Sequence, residues 1–180
     1  CPAGSNWLEA KLGCTKAVSF DVTAACSGFL FALHVADKFI KSGANKTVLV
    51  AAGEIMTRVV NWKERESCIL WGDGAGAAVV TESENGAQIL STHIHTDGAA
   101  GDTLLMPGGG SKTTPISYES VDNGLHYLKM IEANRSFKVA VNRFAEACEE
   151  AASVNGYTVH DADVIIPHQA NLRILQGMAK

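Results

Sequence analysis

The apolar positions along the chain follow two periods, and each period predicts a different kind of element. A helical period is clearest near the end of the chain, where apolar or small residues recur at steps of three and four, at Phe137, Val141, Phe144, Cys148 and Ala151. Short β-branched apolar runs bounded by glycine or turn residues indicate strands. The pattern predicts helices over 6–12, 27–41, 136–154 and 170–180, and strands over 17–22, 47–52, 75–81, 87–95 and 163–167.

The order of these elements predicts an α/β fold. Strands alternate with helices, which favours a largely parallel sheet, and the stretch 97–124 is expected to be a long surface loop. One strand leads through Cys26 into a helix, and a later strand leads through His168 into another. Because sites in open α/β sheets form at the carboxyl ends of strands, we expect Cys26 and His168 to meet, although 142 positions separate them.

Composition and charge exclude several classes of protein. Of the 180 residues 47% are hydrophobic and 19% charged, which is typical of a globular domain and not of a disordered chain. The net charge of −4 gives no electrostatic support for binding nucleic acid. No apolar run approaches the roughly 20 residues that a membrane-spanning helix needs. We therefore expect neither a nucleic-acid partner nor a membrane partner.

Cysteine usage and the chain ends bear on location and completeness. Five cysteines without a CxxC pair argue against a disulfide framework or a zinc knuckle, and free thiols predict a reducing, cytoplasmic location. The sequence begins at Cys1 and ends at Lys180 inside a predicted helix, from which we expect a piece of a longer chain.

Cys26 is the strongest candidate nucleophile. It stands among small residues between a predicted strand and a predicted helix, in the run Thr23-Ala24-Ala25-Cys26-Ser27-Gly28. A thiol at a helix N-terminus is close to unpaired backbone N–H groups and the positive end of the helix dipole, and both favour the reactive thiolate. The same N–H groups can stabilise an oxyanion during acyl transfer. The alternative interpretation is a small buried cysteine that only fills space.

His168 is the second candidate catalytic residue. It follows Pro167 at the end of a predicted strand and precedes a predicted helix, whose N-terminus would favour a neutral imidazole able to donate a hydrogen bond. The alternative is a structural histidine whose ring is hydrogen-bonded by the backbone.

Three further patterns carry weaker hypotheses. The glycines at 72, 74 and 76 approach a dinucleotide-binding spacing, but a strand-like run follows them where that motif needs a helix. His93 and His95 share one face of a predicted strand without an evident third metal ligand, so we expect no metal site. Lys138, Arg173 and Lys180 are scattered basic residues, either solvated or directed at an acidic partner.

Three motifs together resemble β-ketoacyl-acyl-carrier-protein synthase III, the initiating condensing enzyme of bacterial-type fatty acid synthesis. They are FDVTAACSGF at 20–29, WGDGAGAA at 71–78 and PHQANLRI at 167–174, in the family's order. The resemblance implies a thiolase-like α/β fold of two pseudo-repeated halves with mixed sheets and helices, incomplete in this chain. It implies that 1–83 is the C-terminal part of the first half and 84–180 the N-terminal part of the second.

The resemblance also implies a reaction and a set of residues. Cys26 takes an acyl group from acyl-CoA, malonyl-acyl carrier protein loses CO₂ with help from His168, and the enolate attacks the thioester. Arg65, Trp71 and Asn171 match positions that contact the substrate, and Lys138 and Arg173 match positions proposed to dock the acidic carrier protein. The family uses no cofactor or metal and usually works as a homodimer.

The chain departs from the family pattern in one important respect. The family's third catalytic residue, an asparagine in a Gly-Asn-Thr-Ser motif after the histidine, is not found in these 180 residues. Two alternatives therefore stay open: a related acyl-CoA condensing enzyme of the polyketide or quinolone type, and a truncated acyl-binding piece without activity. Use of malonyl-CoA rather than malonyl-carrier protein would indicate the first of these.

Overall fold

Helices dominate the regular structure, and the strands are few. A computed structural model describes residues 2–110 and 114–179. In these ranges the α-helices are α1 Gly4–Leu12, α2 Gly28–Lys41, α3 Arg65–Cys68, α4 Tyr118–Asp122, α5 Ala133–Val154 and α6 Leu172–Met178. The strands are β1 Thr47–Glu54, β2 Gly74–Thr81, β3 Leu104–Leu105 and β4 Lys129–Met130. The predicted helices over 6–12, 27–41 and 136–154 and the predicted strands over 47–52 and 75–81 are confirmed.

The sheets are antiparallel, so the predicted largely parallel sheet is wrong for the described residues. β3 pairs antiparallel with β4, with Leu104 opposite Met130. β1 pairs with β2, and Thr47 at the start of β1 lies beside Thr81 at the end of β2, with their hydroxyl oxygens 3.4 Å apart. Alternation of strands with helices did not distinguish the two directions, because 47–54 and 74–81 are joined by irregular chain and the short helix α3.

Three predicted strands are absent from the described part of the chain. No strand is assigned over 17–22, 87–95 or 163–167. The last of these was expected to be buried, yet Val164 is 72% and Ile166 87% exposed. A strand needs a neighbour to hydrogen-bond and a layer to cover it, and the sequence pattern reports neither requirement.

The chain divides into two compact units. The first comprises Cys1–Val50 and Ala78–Asn85, and the second comprises Ala51–Ala77 and Gly86–Lys180. In the first unit, α1 begins after Ala3, and the side chain of Asn6 accepts a hydrogen bond from the Ala3 N–H at 3.0 Å. The helix begins two residues earlier than predicted, so Asn6 lies inside it.

Helix α2 carries the best-buried charge of the first unit. Asp37 is 4% exposed, and its carboxylate accepts from Lys41 Nζ and Lys38 Nζ, each at 2.9 Å. Burial alone would raise the pKa of Asp37, but the hydrogen bonds from the two ammonium groups outweigh burial and lower it. The lowered pKa therefore favours the charged carboxylate of Asp37 in the folded protein.

In the second unit α5 packs against α6. Ile174 on α6 is buried, and a Cβ added at Gly177 would lie 3.0 Å from a methyl carbon of Val141 on α5. That distance is too short for an unshifted side chain, so the glycine permits the close approach of the two helices. Within the described residues no helix has the length and apolarity needed to cross a bilayer.

We expect Asp37→Asn to lower the free energy of unfolding by about 1 kcal/mol at pH 7, because the lysine partners are half exposed and solvent screens them. A lowered folded-state pKa contributes stability above the unfolded-state pKa and loses it as the pH falls through the folded value. The difference between the two proteins should therefore shrink as the pH falls below about 4 and be lost once the pH is below the lowered folded-state pKa. Urea unfolding at pH 7 and pH 3 tests this, with the exposed Asp163→Asn as control. An equal difference at both pH values would assign the loss to packing instead of charge.

Candidate active site

Cys26 lies in a tight turn that feeds directly into helix α2. Residues Ala25–Ser27 form a 3₁₀ turn, closed by the Ser27 N–H donating to the Ala24 carbonyl at 3.0 Å, and α2 begins at the next residue, Gly28. The thiol is exposed. A space-filling buried cysteine is therefore excluded, and Cys26 lies one residue before Ser27, the N-cap of this 14-residue helix.

The residue before the nucleophile is in a strained conformation. Ala25 has φ of +46°, in the left-handed region, which costs a residue with a Cβ about 1–3 kcal/mol. Such a conformation persists only when the surrounding structure imposes it, and it is most often found at functional sites. Ala24, Ala25 and Gly28 are small, so the turn stays open around the sulfur. This run of small residues is the feature of the sequence that indicated an accessible cysteine.

The segment that enters this turn is fixed by a set of polar contacts that sequence analysis missed. Asp21 accepts hydrogen bonds from the Gly4 and Ser5 N–H groups at 2.7 and 2.9 Å, at the start of α1. The bond from Ser5, followed by that from Gly4, lowers the pKa of Asp21. Ser19 donates to Glu9 and accepts from Asn6, both at 2.7 Å. These partners are 10 to 17 positions apart, which no local pattern reveals.

His168 is exposed, and more residues separate it from the start of α6 than was predicted. The helix begins at Leu172 instead of 170, with Asn171 as its N-cap, so His168 lies three residues outside the cap. Helix-dipole effects fade beyond the terminal turn, so the helix start lends no support to the predicted influence of α6 on the His168 ring, which stays a prediction. No hydrogen bond to His168 is formed within the described residues, which removes support for a purely structural histidine and leaves its ring nitrogens free for a ligand.

The three predicted substrate-contacting residues all lie in the second unit. Arg65 is the exposed first residue of α3, and Trp71 is half buried, three residues before β2. Asp73 closes this loop on itself, since its carboxylate accepts from the Thr57 N–H at 2.8 Å and the Thr57 hydroxyl at 2.7 Å. Asn171 uses its side-chain oxygen to accept from the Arg173 N–H at 2.8 Å, so its amide nitrogen is the group left to donate.

Lys138 and Arg173 are exposed on the packed helix pair α5 and α6. Each of the two arginines of α5 forms an ion pair with a glutamate three positions away. Arg135 pairs with Glu132 at 2.9 Å and Arg143 with Glu146 at 2.6 Å. Among the described residues neither Lys138 nor Arg173 has an acidic partner. Their charges are therefore available to an external anionic group.

The histidine pair contacts one acidic residue, Glu150. Glu150 on α5 contacts His95 Nε2 at 2.6 Å and His93 Nδ1 at 3.3 Å, and the hydrogen bond from His95 is the main cause that lowers the pKa of Glu150. Within the described residues no group of three metal-ligating side chains has metal-binding geometry. The contact joins positions 55 residues apart, so Glu150 was not foreseen as the partner.

The structure describes Cys26 and His168 in different units. Their predicted meeting therefore stays a prediction. An open cavity of about 520 Å³ in the second unit lies between Lys63 and the turn after α4, and none of the predicted site residues lines it.

Comparison with known proteins identifies the family to which this arrangement belongs. Residues 20–98 match the model of the family described as 3-oxoacyl-[acyl-carrier-protein (ACP)] synthase III. The β-ketoacyl-[acyl-carrier-protein] synthase III of Xanthomonas campestris pv. campestris is 46% identical over 179 residues, which is 99% of this chain and 53% of that protein. The chain belongs to this synthase III family. It spans about half the length of the curated relatives that it matches.

Solved structures confirm the fold class for this synthase III chain. The 3-oxoacyl-[acyl-carrier-protein] synthase III of Aquifex aeolicus matches with a TM-score of 0.86 and 38% identity, over 99% of this chain and 53% of that one. The priming β-ketosynthase of the R1128 polyketide pathway matches with a TM-score of 0.81 and 35% identity, over 99% and 52% respectively. The thiolase-like α/β fold, incomplete in this chain, is thereby confirmed.

The exposed thiols give a direct test of the nucleophile. Cys14 and Cys26 are both exposed, Cys148 is half buried and Cys68 is buried. We expect brief iodoacetamide treatment of the native protein to label Cys26 before Cys14, because Cys26 lies next to the N-cap of a 14-residue helix, whereas Cys14 follows the C-terminal end of α1. Peptide mapping at short times measures the order. Labelling of Cys14 or Cys68 first would overturn the assignment, and Cys14 serves as the matched exposed control.

Proposed function

We propose that the protein containing this chain is a condensing acyltransferase that starts type II fatty acid synthesis. It would load an acyl group from acyl-CoA and join it to malonyl-acyl carrier protein, giving 3-oxoacyl-acyl carrier protein. The observation that carries the proposal is the exposed Cys26 thiol after a left-handed Ala25 at the start of α2. This turn lies within the segment 20–98 that matches the family model.

The first stage is transfer of the acyl group to Cys26. The thiolate attacks the thioester carbonyl, a new sulfur–carbon bond forms, and the bond to the CoA sulfur breaks, releasing CoA as its thiolate. N–H groups at the start of α2 stabilise both the attacking thiolate and the oxyanion that forms on the carbonyl oxygen. Covalent loading divides a difficult transfer between two carriers into two easier steps.

The second stage is decarboxylation and carbon–carbon bond formation. The malonyl group loses CO₂, and its electron pair moves into an enolate on the thioester oxygen, where His168 would donate a hydrogen bond. The enolate carbon attacks the Cys26 thioester and releases the cysteine thiolate. A donor that acts on charge formed only in the transition state raises the rate more than the binding. The ring of His168 is exposed and without a partner in the described residues, which supports this role.

The surrounding residues support the two substrates. Arg65 would contact the CoA adenine, Trp71 would line the acyl pocket, and the amide nitrogen of Asn171 would donate to the pantetheine arm. Lys138 and Arg173 would dock the acidic carrier protein, because their charges are not neutralised by neighbouring carboxylates in the described structure. The chemistry needs no cofactor or metal, since the nucleophile and the hydrogen-bond donor are both side chains.

We place the enzyme in the cytoplasm as a homodimer. Four cysteines of the described chain are free thiols, and free thiols are favoured in reducing compartments. The homodimer is what the resemblance to the synthase III family implies.

A polyketide-priming enzyme is the second candidate. The observation that favours it is the likeness to the R1128 priming β-ketosynthase at 35% identity. The run His168-Gln169-Ala170-Asn171 favours a carrier-protein-dependent enzyme in either case. The acyl starter distinguishes the two candidates, and loading of Cys26 without any condensation would favour the inactive acyl-binding alternative.

We expect His168→Ala in the full-length protein to keep acyl loading and to lose decarboxylation by about 10²–10³ in rate, the usual cost of removing one such donor. The paired measurements are radiolabelled acetyl transfer to the protein and CO₂ release from malonyl-acyl carrier protein. The exposed His160→Ala is the matched control and should leave both unchanged.

Two outcomes would contradict this division of labour. An equal loss in both assays would make His168 the base that activates Cys26. No loss in either assay would return His168 to a structural role.

A further inference from the structure

We propose that Asp21 is a positioning residue that holds Cys26 in its reactive conformation, an inference that rests on the proposed function of Cys26 as the acyl carrier. Asp21 lies five residues before the thiol and does not contact it in the described structure. Its action would pass through the backbone of the turn.

Asp21 fastens the entering segment to α1. One carboxylate oxygen accepts from the Gly4 N–H at 2.7 Å, and the other accepts from the Ser5 N–H at 2.9 Å. Both oxygens are thus used on the unpaired amides of the first turn of α1, where a negative charge is favoured. Because 16 and 17 positions separate the partners, the contact fixes tertiary structure and not a local turn.

The preceding residue fastens the same segment to α2. The ring of Phe20 meets the ring of Phe39 edge-on, with centroids 6.2 Å apart and planes at 70°. Successive side chains of an extended chain point to opposite sides. Residues 20 and 21 therefore bind the segment to two different helices at one point of the chain.

The contacts of Phe20 and Asp21 affect Cys26 because Ala25, which lies between them and the thiol, is strained. A left-handed alanine relaxes unless the chain is held on both sides. On one side the chain is held by the start of α2 at Gly28, and on the other by the pair Phe20 and Asp21. When Asp21 is lost, the turn can relax to negative φ at Ala25, and the thiol then changes its position relative to the start of α2.

A simpler role for Asp21 is a capping charge that stabilises α1 without influence on the nucleophile. The two roles differ in what they do to the thiol. A cap affects unfolding alone, whereas a positioning residue changes the alkylation rate of Cys26 in protein that is still folded. They also differ in their dependence on Ala25, because only the positioning role acts through the strain at that residue.

The test measures the rate constant for Cys26 with iodoacetamide, resolved by peptide mapping, in Asp21→Asn and Asp21→Ala. We expect about a twofold to fivefold loss for the asparagine, which keeps one acceptor oxygen, and a larger loss for the alanine. Asp161→Asn is the matched control, since Asp161 accepts from the Thr158 N–H at 2.7 Å in the other unit. Circular dichroism confirms folding, and the milder asparagine variant keeps the test valid if the alanine variant unfolds.

A double-mutant cycle with Ala25→Gly decides between the roles. Glycine adopts positive φ without strain, so the effect of Asp21→Asn should shrink towards none in the glycine background. Unchanged Cys26 rates in both Asp21 variants, or losses that are the same in the alanine and glycine backgrounds, would overturn the inference. Failure of the proposed function is separate, because it would appear as absence of acyl transfer to Cys26 in the unsubstituted protein.

Discussion

The chemistry assigned to this chain depends on a reversal of the backbone at Ala25, where an extended segment turns into helix α2. The left-handed φ of +46° is at the residue before Cys26, which is exposed and lies next to Ser27, the N-cap of the helix. A thiol in that place is accessible to substrate from solvent and is close to the N-terminal end of α2, which favours negative charge. Because the conformation is strained, the contacts of Phe20 and Asp21 with the two flanking helices are a condition for it.

The second unit contributes a different set of groups. His168 is exposed after a proline, and Lys138 and Arg173 present unneutralised charge from two packed helices. The loop with Arg65 and Trp71 is closed by the double hydrogen bond from Thr57 to Asp73. These are the groups that the proposal assigns to the thioester arm and to the acidic carrier protein.

Local patterns predicted what depends on local forces. The periodicity of 136–154 and 27–41 predicted α5 and α2 because an amphipathic or apolar helix repeats every few residues. The β-branched run after Lys46 predicted β1, and the strand-like run in 75–81 predicted β2. The small residues around Cys26 predicted an open turn, although not its left-handed alanine.

The features that the sequence did not predict depend on contacts between residues far apart in the chain. The apolar run 163–166 indicates a buried strand only if another strand pairs with it and a layer covers it, and its side chains are exposed here. Asp21 with the start of α1, and Glu150 with the two histidines, join residues far apart in sequence. The direction of β1 relative to β2 likewise depends on how the chain returns, which hydrophobic alternation does not specify.

The central claim is that Cys26 carries the acyl group, and the acyl-enzyme itself can be observed. The full-length protein is incubated with acetyl-CoA without a malonyl substrate, digested at low pH and analysed by mass spectrometry. The account predicts one added acetyl group on the peptide that contains Cys26, removed by hydroxylamine as a thioester and absent from Cys26→Ser. Acetyl on another residue, or a hydroxylamine-stable adduct that persists in Cys26→Ser, would contradict it.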